Sequence, residues 1–189
     1  MNILFIDACI RPVSRTMTLC RAYLDKLLEK YLGALVEHID LQREKLLPFD
    51  YAMLSQRLKD IEKCDFSSER YRLAKLFAAA DEIVVGAPYW DYSFPSLLKV
   101  YFEHVCVNKL TFAYRPDGEE YSLCRAARMT YIYTAGGRIP RDNSAVSYMR
   151  DMCDMFGIKR LSVYGADGLD ERGCDCLGAI KNAVDEMKA

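Results

Sequence analysis

The chain has 189 residues, of which 51% are hydrophobic and 28% are charged, as is typical of one globular domain spanning residues 1–189. Its 26 lysine and arginine residues are balanced by 27 aspartate and glutamate residues, so the net charge is −1 and the basic excess of nucleic-acid-binding proteins is absent. The sequence has no signal-peptide pattern and no apolar stretch near the ~20 residues that a membrane helix needs, which predicts a cytoplasmic protein.

Short apolar segments, which predict strands, alternate with longer segments of helical spacing through the first half of the chain. One segment breaks the alternation: residues 41–66 form a long, charged stretch, which we expect to be mostly irregular and to run over the surface. The predicted elements of this half are a strand at 3–6, a helix ending near Gly33, a strand at 35–39, a helix at 69–80 and a strand at 83–87.

The second half of the chain continues the same alternation, interrupted by one hairpin. Its predicted elements are a helix at 96–107, a hairpin at 111–124 turning at 116–118, a strand at 129–133, a helix capped by Asn143 and reaching Phe156, a strand at 161–164, and a final helix with Asp170 and Glu171 at its start. Five strands alternating with helices predict an α/β fold in which helices cover both faces of a parallel sheet.

The eight cysteines include no C-x-x-C pair, and the chain has two histidines. This pattern predicts small, reduced, mostly buried thiols, and it predicts neither disulfides nor a metal site. Cys174 and Cys176 are the nearest approach to a ligand pair.

Ligands of such sheets bind beyond the carboxyl ends of the strands, so three loops are of interest. The loop after the first strand contains Arg11, Ser14, Arg15 and Thr16 at the start of a helix. Hydroxyl groups, guanidinium groups and free N–H groups there suit a terminal phosphate. The simpler interpretation is that Ser14 or Thr16 caps the helix. The loop lacks the glycine patterns of dinucleotide sites and P-loops.

The loop after the third strand, residues 88–92, contains Pro88, Tyr89, Trp90, Asp91 and Tyr92. Aromatic rings and exposed N–H groups there suit a planar heterocycle with a polar edge. The alternative is an aromatic cluster that caps the sheet or contacts another subunit.

The loop after the fourth strand contains Thr134, Ala135, Gly136 and Gly137. Paired glycines allow close approach of the backbone to a ligand, although a plain tight turn is the more frequent use of Gly-Gly. A phosphate, a flat ring with a polar edge and donors for an electron-rich ring together describe flavin mononucleotide (FMN).

Three motifs carry a family resemblance: RPVSRT at 11–16, APYWDYSFPSLLK at 87–99, and TAGG at 134–137. The chain resembles the flavodoxin-like NAD(P)H-dependent oxidoreductases, nearest the FMN-dependent azoreductase and quinone-reductase branch. The resemblance implies a three-layer sandwich with strand order 2-1-3-4-5, and FMN contacts at 14–16, 89–92 and 134–137. It also implies a substrate pocket walled by Phe112 and Tyr114. Asp91 departs from the family pattern, which has Asn there, and residues 138–141 also differ.

The resemblance implies bound FMN and ping-pong hydride transfer through flavin N5, from NADH or NADPH to a quinone, azo or nitro aromatic acceptor. No catalytic side chain is required, and Tyr114 is the candidate for positioning the acceptor. The aromatic residues at 89–94 and the helix after them predict a homodimer with the flavin near the subunit contact. The alternatives are a flavodoxin-type electron carrier, which is usually acidic, and a cofactor-free binding domain.

Overall fold

The computed structural model describes all 189 residues and contains a five-stranded parallel sheet. Its strands are β1 (Asn2–Asp7), β2 (Leu35–Asp40), β3 (Glu82–Gly86), β6 (Arg128–Thr134) and β7 (Arg160–Ala166). A separate antiparallel hairpin contains β4 (Phe112–Tyr114) and β5 (Glu120–Ser122). The order β2-β1-β3-β6-β7 is the predicted order once the two hairpin strands are counted. All five predicted sheet strands and the hairpin are confirmed.

Two layers of helices cover the sheet. The helices are α1 (Arg15–Lys30), α2 (Leu41–Glu44), α3 (Tyr51–Lys63), α4 (Arg72–Ala79), α5 (Ser96–Val105), α6 (Ser144–Met155) and α7 (Cys176–Glu186). Helices α1 and α7 contribute to the apolar core on one face, while α4, α5 and α6 contribute to the core on the other. None of these helices combines the length and the apolar character that crossing a bilayer would require.

Strand β1 shows how the sequence produces two cores. Successive side chains of a strand point to opposite faces, so Leu4 and Ile6 enter the core beneath α4 and α5, while Ile3 and Phe5 enter the core beneath α1. All four side chains are almost completely buried. A continuous apolar run is therefore the expected pattern for a strand covered on both faces.

The expectation of irregular chain at residues 41–66 was wrong. This segment contains α2 and α3, and α3 begins at the cap residue Asp50, whose Oδ1 accepts a hydrogen bond from the N–H of Met53 at 2.7 Å. Helix α3 buries none of its residues, and Arg57 anchors it by donating to the carbonyl oxygens of Glu103 and Cys106. The apolar side chains of α3 recur at helical spacing but remain largely exposed, so the high charge of the segment was misleading although the helical period was present.

The expected start of the last helix was also wrong. Asp170 and Glu171 lie in a turn before the helix, and α7 begins at Cys176 with Asp175 as its N-cap. The Oδ1 atom of Asp175 accepts from the N–H of Gly178 at 2.9 Å. An acidic pair suits a first helical turn, but the capping geometry of Asp175 decided where the helix begins.

A buried ion pair joins the centre of the sheet at its amino-terminal edge. Glu82 on β3 faces Arg128 on β6, and the carboxylate accepts from Nε at 3.0 Å and from Nη2 at 2.7 Å. The two side chains are 3% and 11% exposed. Tyr23 of α1 adds a hydroxyl 3.2 Å from Glu82 Oε1. The pair therefore fixes α1, β3 and β6 relative to one another.

We expect Glu82→Leu to lower the free energy of unfolding by about 3–5 kcal/mol, because it leaves a buried guanidinium without its partner. The double variant Glu82→Leu/Arg128→Met should recover most of this loss, since it removes both charges. Urea denaturation followed by circular dichroism measures each change.

Arg125→Met is the matched control for this prediction. Arg125 donates to Asp81 at 2.7 Å beside the buried pair, but its side chain is 64% exposed. An exposed pair contributes about 0–1 kcal/mol, so this variant should be nearly neutral. If both variants lowered the free energy of unfolding equally, burial of the Glu82–Arg128 pair would not explain the loss.

Candidate functional site

A cavity of about 160 Å³ lies at the carboxyl edge of the sheet, between the loops that follow β1, β3 and β6. Parallel strands end at the same edge, so these three loops meet although they are far apart in sequence. A wider groove of about 420 Å³ runs along β7 and α7 and includes Arg138 and Arg141. The smaller cavity is the candidate site because it alone joins all three loops.

The loop after β1 brings Arg11, Ser14, Arg15 and Thr16 to this cavity. Ser14 is the N-cap of α1, and its Oγ accepts from the N–H of Met17 at 3.2 Å. The N–H groups of Arg15 and Thr16 donate to no protein acceptor. Free N–H groups at the first turn of a long helix attract anions. Ser14 is thus a helix cap, and the same turn offers donors to a ligand.

The Thr16 side chain has a structural role. It is fully buried, and its hydroxyl oxygen lies 2.6 Å from the hydroxyl oxygen of Thr134 at the end of β6. This hydrogen bond joins α1 to the sheet, so the Thr16 hydroxyl is already committed. Thr16 can serve a ligand through its backbone N–H.

The cavity also contains Asp170, which the sequence had indicated as part of a helix start. Asp170 Oδ1 accepts from Nη2 of Arg15 at 2.6 Å, and the carbonyl oxygen of Leu169 accepts from Nη1 at 2.9 Å. The hydrogen bond to Asp170 raises the pKa of Arg15. Because these residues are about 155 positions apart, no local sequence signal could have found the pair.

The loop after β3 brings Pro88, Tyr89 and Trp90 to the cavity. The N–H of Tyr89 donates to the carbonyl oxygen of Thr134 at 2.9 Å, which ties this loop to the loop after β6. The guanidinium carbon of Arg11 lies 5.6 Å from the centre of the Trp90 ring, a cation–π contact that joins the first two loops.

Asp91 and Tyr92 form a strained turn at the tip of this loop. Trp90 and Ser93 exchange two backbone hydrogen bonds, and the two residues between them have φ values of 49° and 63°. Positive φ at both central positions is the type I′ geometry that normally selects Asn-Gly, and it is an outlier for a bulky residue. Tyr92 is 85% exposed, and neither Asp91 nor Tyr92 lines the cavity. Strain of this kind is often retained at functional sites.

The loop after β6 contributes Thr134, Ala135 and Gly136 to the cavity, while Gly137 lies just outside it. A Cβ atom on Gly136 would lie 2.4 Å from Oδ2 of Asp170, so a side chain at this position would have to displace the Asp170 carboxylate. The N–H groups of Gly136 and Gly137 donate to no protein acceptor. The predicted close approach of the backbone is therefore possible at this loop.

Phe112 and Tyr114, the predicted substrate-pocket residues, lie away from the cavity of their own chain. Their rings pack edge to face with centroids 5.7 Å apart on β4. The hairpin is anchored at the opposite edge of the sheet, where Ser122 Oγ donates to the carbonyl oxygen of Phe156 at the end of α6. Tyr114 is 53% exposed, so its ring is available to a second molecule.

The groups around the cavity fit FMN. Free backbone N–H groups at Arg15 and Thr16, with the nearby Arg11 guanidinium, suit a phosphate dianion. Free N–H groups at Gly136 and Gly137 suit the polar edge of a flat ring. The Trp90 side chain supplies an aromatic surface beside them.

Comparison with known proteins agrees with the fold. A family model described as a flavodoxin-like fold matches residues 1–189, and the chain belongs to this family. The FMN-dependent NADH:quinone oxidoreductase 2 of Clostridium acetobutylicum is 27% identical over 195 residues, which cover 99% of this chain and 96% of that protein. The FMN-dependent NADH:quinone oxidoreductase of Ruminiclostridium cellulolyticum is 26% identical over 206 residues, covering 99% and 96%.

Two crystal structures from Bacillus anthracis share the fold. An azoreductase from the Sterne strain superimposes with a TM-score of 0.83 at 22% identity, covering 98% of this chain and 95% of that one. An FMN-dependent NADH-azoreductase from the Ames Ancestor strain, in complex with FMN, gives a TM-score of 0.81 at 21% identity, covering 98% and 94%.

We expect Tyr92→Gly to be more stable than Tyr92→Ala by about 1 kcal/mol, because glycine alone adopts the left-handed region without steric cost. The alanine variant is the matched control, since it removes the same ring but keeps the Cβ atom. Urea denaturation of the flavin-free chain measures the difference. Equal stability of the two variants would show that the turn is not strained.

Proposed function

We propose that this flavodoxin-like chain is an FMN-dependent NAD(P)H oxidoreductase that reduces quinone-type and azo-type aromatic acceptors. The observation that carries the proposal is the cavity at the carboxyl edge of the sheet, where unpaired backbone N–H groups, arginines and an aromatic ring converge. The relatives named as FMN-dependent NADH:quinone oxidoreductases align over almost the whole chain and support it. We also infer that residues 1–189 act as one FMN-binding domain.

In this proposal the first turn of α1 binds the FMN phosphate. The N–H groups of Arg15 and Thr16 at the helix start have no protein acceptor, and Ser14 fixes that turn by accepting from the N–H of Met17. Arg11 supplies a nearby positive charge from the same loop. The guanidinium of Arg15 donates to Asp170, which holds it beside the cavity, while the backbone N–H of Arg15 stays free for the phosphate.

The other two loops would hold the flavin ring. Tyr89 and Trp90 line the cavity, and the exposed turn at Asp91 and Tyr92 follows them directly. The N–H groups of Gly136 and Gly137 can donate to the electron-rich side of a reduced ring. The Asp91 carboxylate can accept from a ring N–H, in the role that an amide has in the family pattern.

FMN supplies two-electron hydride chemistry through its N5 atom when it is bound. The side chains of this chain then need only bind and orient, so none is assigned a proton-transfer role. NADH or NADPH and the acceptor would use the same open face in turn, which gives ping-pong kinetics. Nitro aromatics fit the same class of flat acceptor.

The reliance on NAD(P)H supports the predicted cytoplasmic location. An electron carrier or a cofactor-free domain is not favoured by the oxidoreductase relatives.

The proposal is tested first by the cofactor that the purified chain retains. We expect FMN rather than FAD on chromatography of the released flavin, and parallel double-reciprocal lines with NADH and a quinone. Ser14→Ala should weaken the binding of FMN far more than that of riboflavin, because only FMN carries the phosphate that would bind the first turn of α1. Fluorescence quenching of each flavin measures both affinities.

Asp50→Ala is the control for Ser14→Ala, because it removes an equivalent N-cap from α3, a helix with no residue in the cavity. Both variants should lose about 1 kcal/mol of stability, and only Ser14→Ala should alter FMN affinity. Retention of FAD, or equal losses of FMN and riboflavin, would contradict the assignment of this turn to a phosphate.

We further propose a homodimer in which the hairpin of one chain reaches the site of the other. Tyr101, Phe102 and Val105, which the sequence had suggested as part of the subunit contact, are fully buried within their own chain. The exposed candidates are Tyr114 on the hairpin and the apolar side chains of α3, such as Tyr51. An exposed apolar surface of this kind is typical of an interface.

We expect light scattering to give a dimer mass for the FMN-loaded protein. Tyr114→Ala should lower turnover with aromatic acceptors, since it removes the exposed ring that would wall the acceptor site of the partner chain. Tyr121→Ala, on the adjacent strand β5, is the control and should keep full turnover. A monomer with full reductase activity at micromolar concentration would exclude the shared site.

A further inference from the structure

Two thiols lie close together just before and at the start of α7. The Sγ atoms of Cys174 and Cys176 are 3.3 Å apart, and both side chains are partly exposed. A disulfide bond is about 2.05 Å long, so the two sulfur atoms would have to approach by a little more than about 1 Å. Cys174 lies in the turn before the helix, where such a movement disturbs no regular element. The pair is therefore placed to form a bond.

The surroundings of the pair admit a small reagent. Cys174 borders a cavity of about 530 Å³ that also contains Arg138. No residue of the first two loops lines this cavity, and it shares no lining residue with the candidate FMN cavity. A reagent can reach Cys174 there without entering the proposed FMN site.

The second thiol is linked to the flavin site through one carbonyl group. Cys176 Sγ lies 3.0 Å from the carbonyl oxygen of Leu169, and the same oxygen accepts from Nη1 of Arg15 at 2.9 Å. The next residue, Asp170, lines the flavin cavity and binds the other nitrogen of Arg15. The thiol and the guanidinium thus share an acceptor beside the site.

We propose that Cys174 and Cys176 form a redox-active dithiol that low-molecular-weight disulfides such as glutathione disulfide oxidise to an intramolecular disulfide, and that this oxidation weakens FMN binding. The second part rests on the proposed function. A disulfide has no S–H group, so the carbonyl oxygen of Leu169 would lose the hydrogen bond from Cys176 and keep only the one from Arg15. The guanidinium is then held more firmly at residues 169–170 and is less available to a phosphate.

The exchange balances without a further reagent. The Cys174 thiolate attacks one sulfur of glutathione disulfide, which breaks the S–S bond and releases one glutathione thiolate. The Cys176 thiolate then attacks the Cys174 sulfur of the mixed disulfide and releases the second glutathione. The protein gives up two electrons and two protons, and two glutathione thiols are formed.

The test uses the full flavin-free chain, incubated with glutathione disulfide or with dithiothreitol. We expect the oxidised chain to be lighter by two hydrogen atoms, with the new bond mapped to Cys174 and Cys176 by peptide mass. Its dissociation constant for FMN should rise about fivefold, the effect of roughly one hydrogen bond. Cys174→Ser and Cys176→Ser should each abolish the intramolecular bond and the shift in affinity.

Cys64→Ser removes an exposed thiol at the carboxyl end of α3 and should behave like the parent protein. A mixed disulfide that persists on Cys174 would overturn the dithiol, and a Cys174–Cys176 bond with unchanged FMN affinity would overturn the coupling. If the reduced chain binds no FMN, the proposed function fails and the coupling fails with it. The disulfide itself is then judged by mass alone.

Discussion

The hydroxyl groups of Thr16 and Thr134 share a hydrogen bond 2.6 Å long, and the arrangement of the site depends on it. Thr16 is fully buried and Thr134 nearly so, and a buried hydroxyl without a partner costs about 1–3 kcal/mol. Each residue therefore fixes the position of the other. The bond holds the first turn of α1 against the end of β6, so that the free N–H groups of both elements face one cavity.

The loops of the site are joined to one another by hydrogen bonds. Tyr89 binds the carbonyl oxygen of Thr134, and Asp170 binds Arg15. Asp170 lies so close to Gly136 that a side chain there would have to displace its carboxylate. A cavity built in this way is preorganised, so little ordering is needed when a ligand binds. The strained turn at Asp91 and Tyr92 is consistent with a loop shaped by binding more than by stability.

Asp170 lies between the candidate site and the thiol pair before α7. Its backbone and side chain contact Gly136 and Arg15, while the preceding residue, Leu169, contacts Cys176. The chain between β7 and α7 therefore contacts the candidate site on one side and a thiol pair on the other. A change at the thiols needs to move only one carbonyl group to alter a charged residue of the site.

The amino-acid sequence alone determined the five strands, the hairpin, the Asn143 cap and the three loops at one edge of the sheet. These features follow from apolar periodicity and turn chemistry, which act between neighbours in the chain. The tertiary structure decided the rest. Asp170 accepts a hydrogen bond from Arg15, and the Thr16 hydroxyl bonds to the end of the sheet. The surface segment before α4 is helical, and Tyr114 lies at the opposite edge from the cavity. Most of these depend on contacts between residues distant in sequence, which leave no local signal in the chain. The helical period of α3 was present in the sequence, but its apolar side chains stay exposed, so the period marks no buried face.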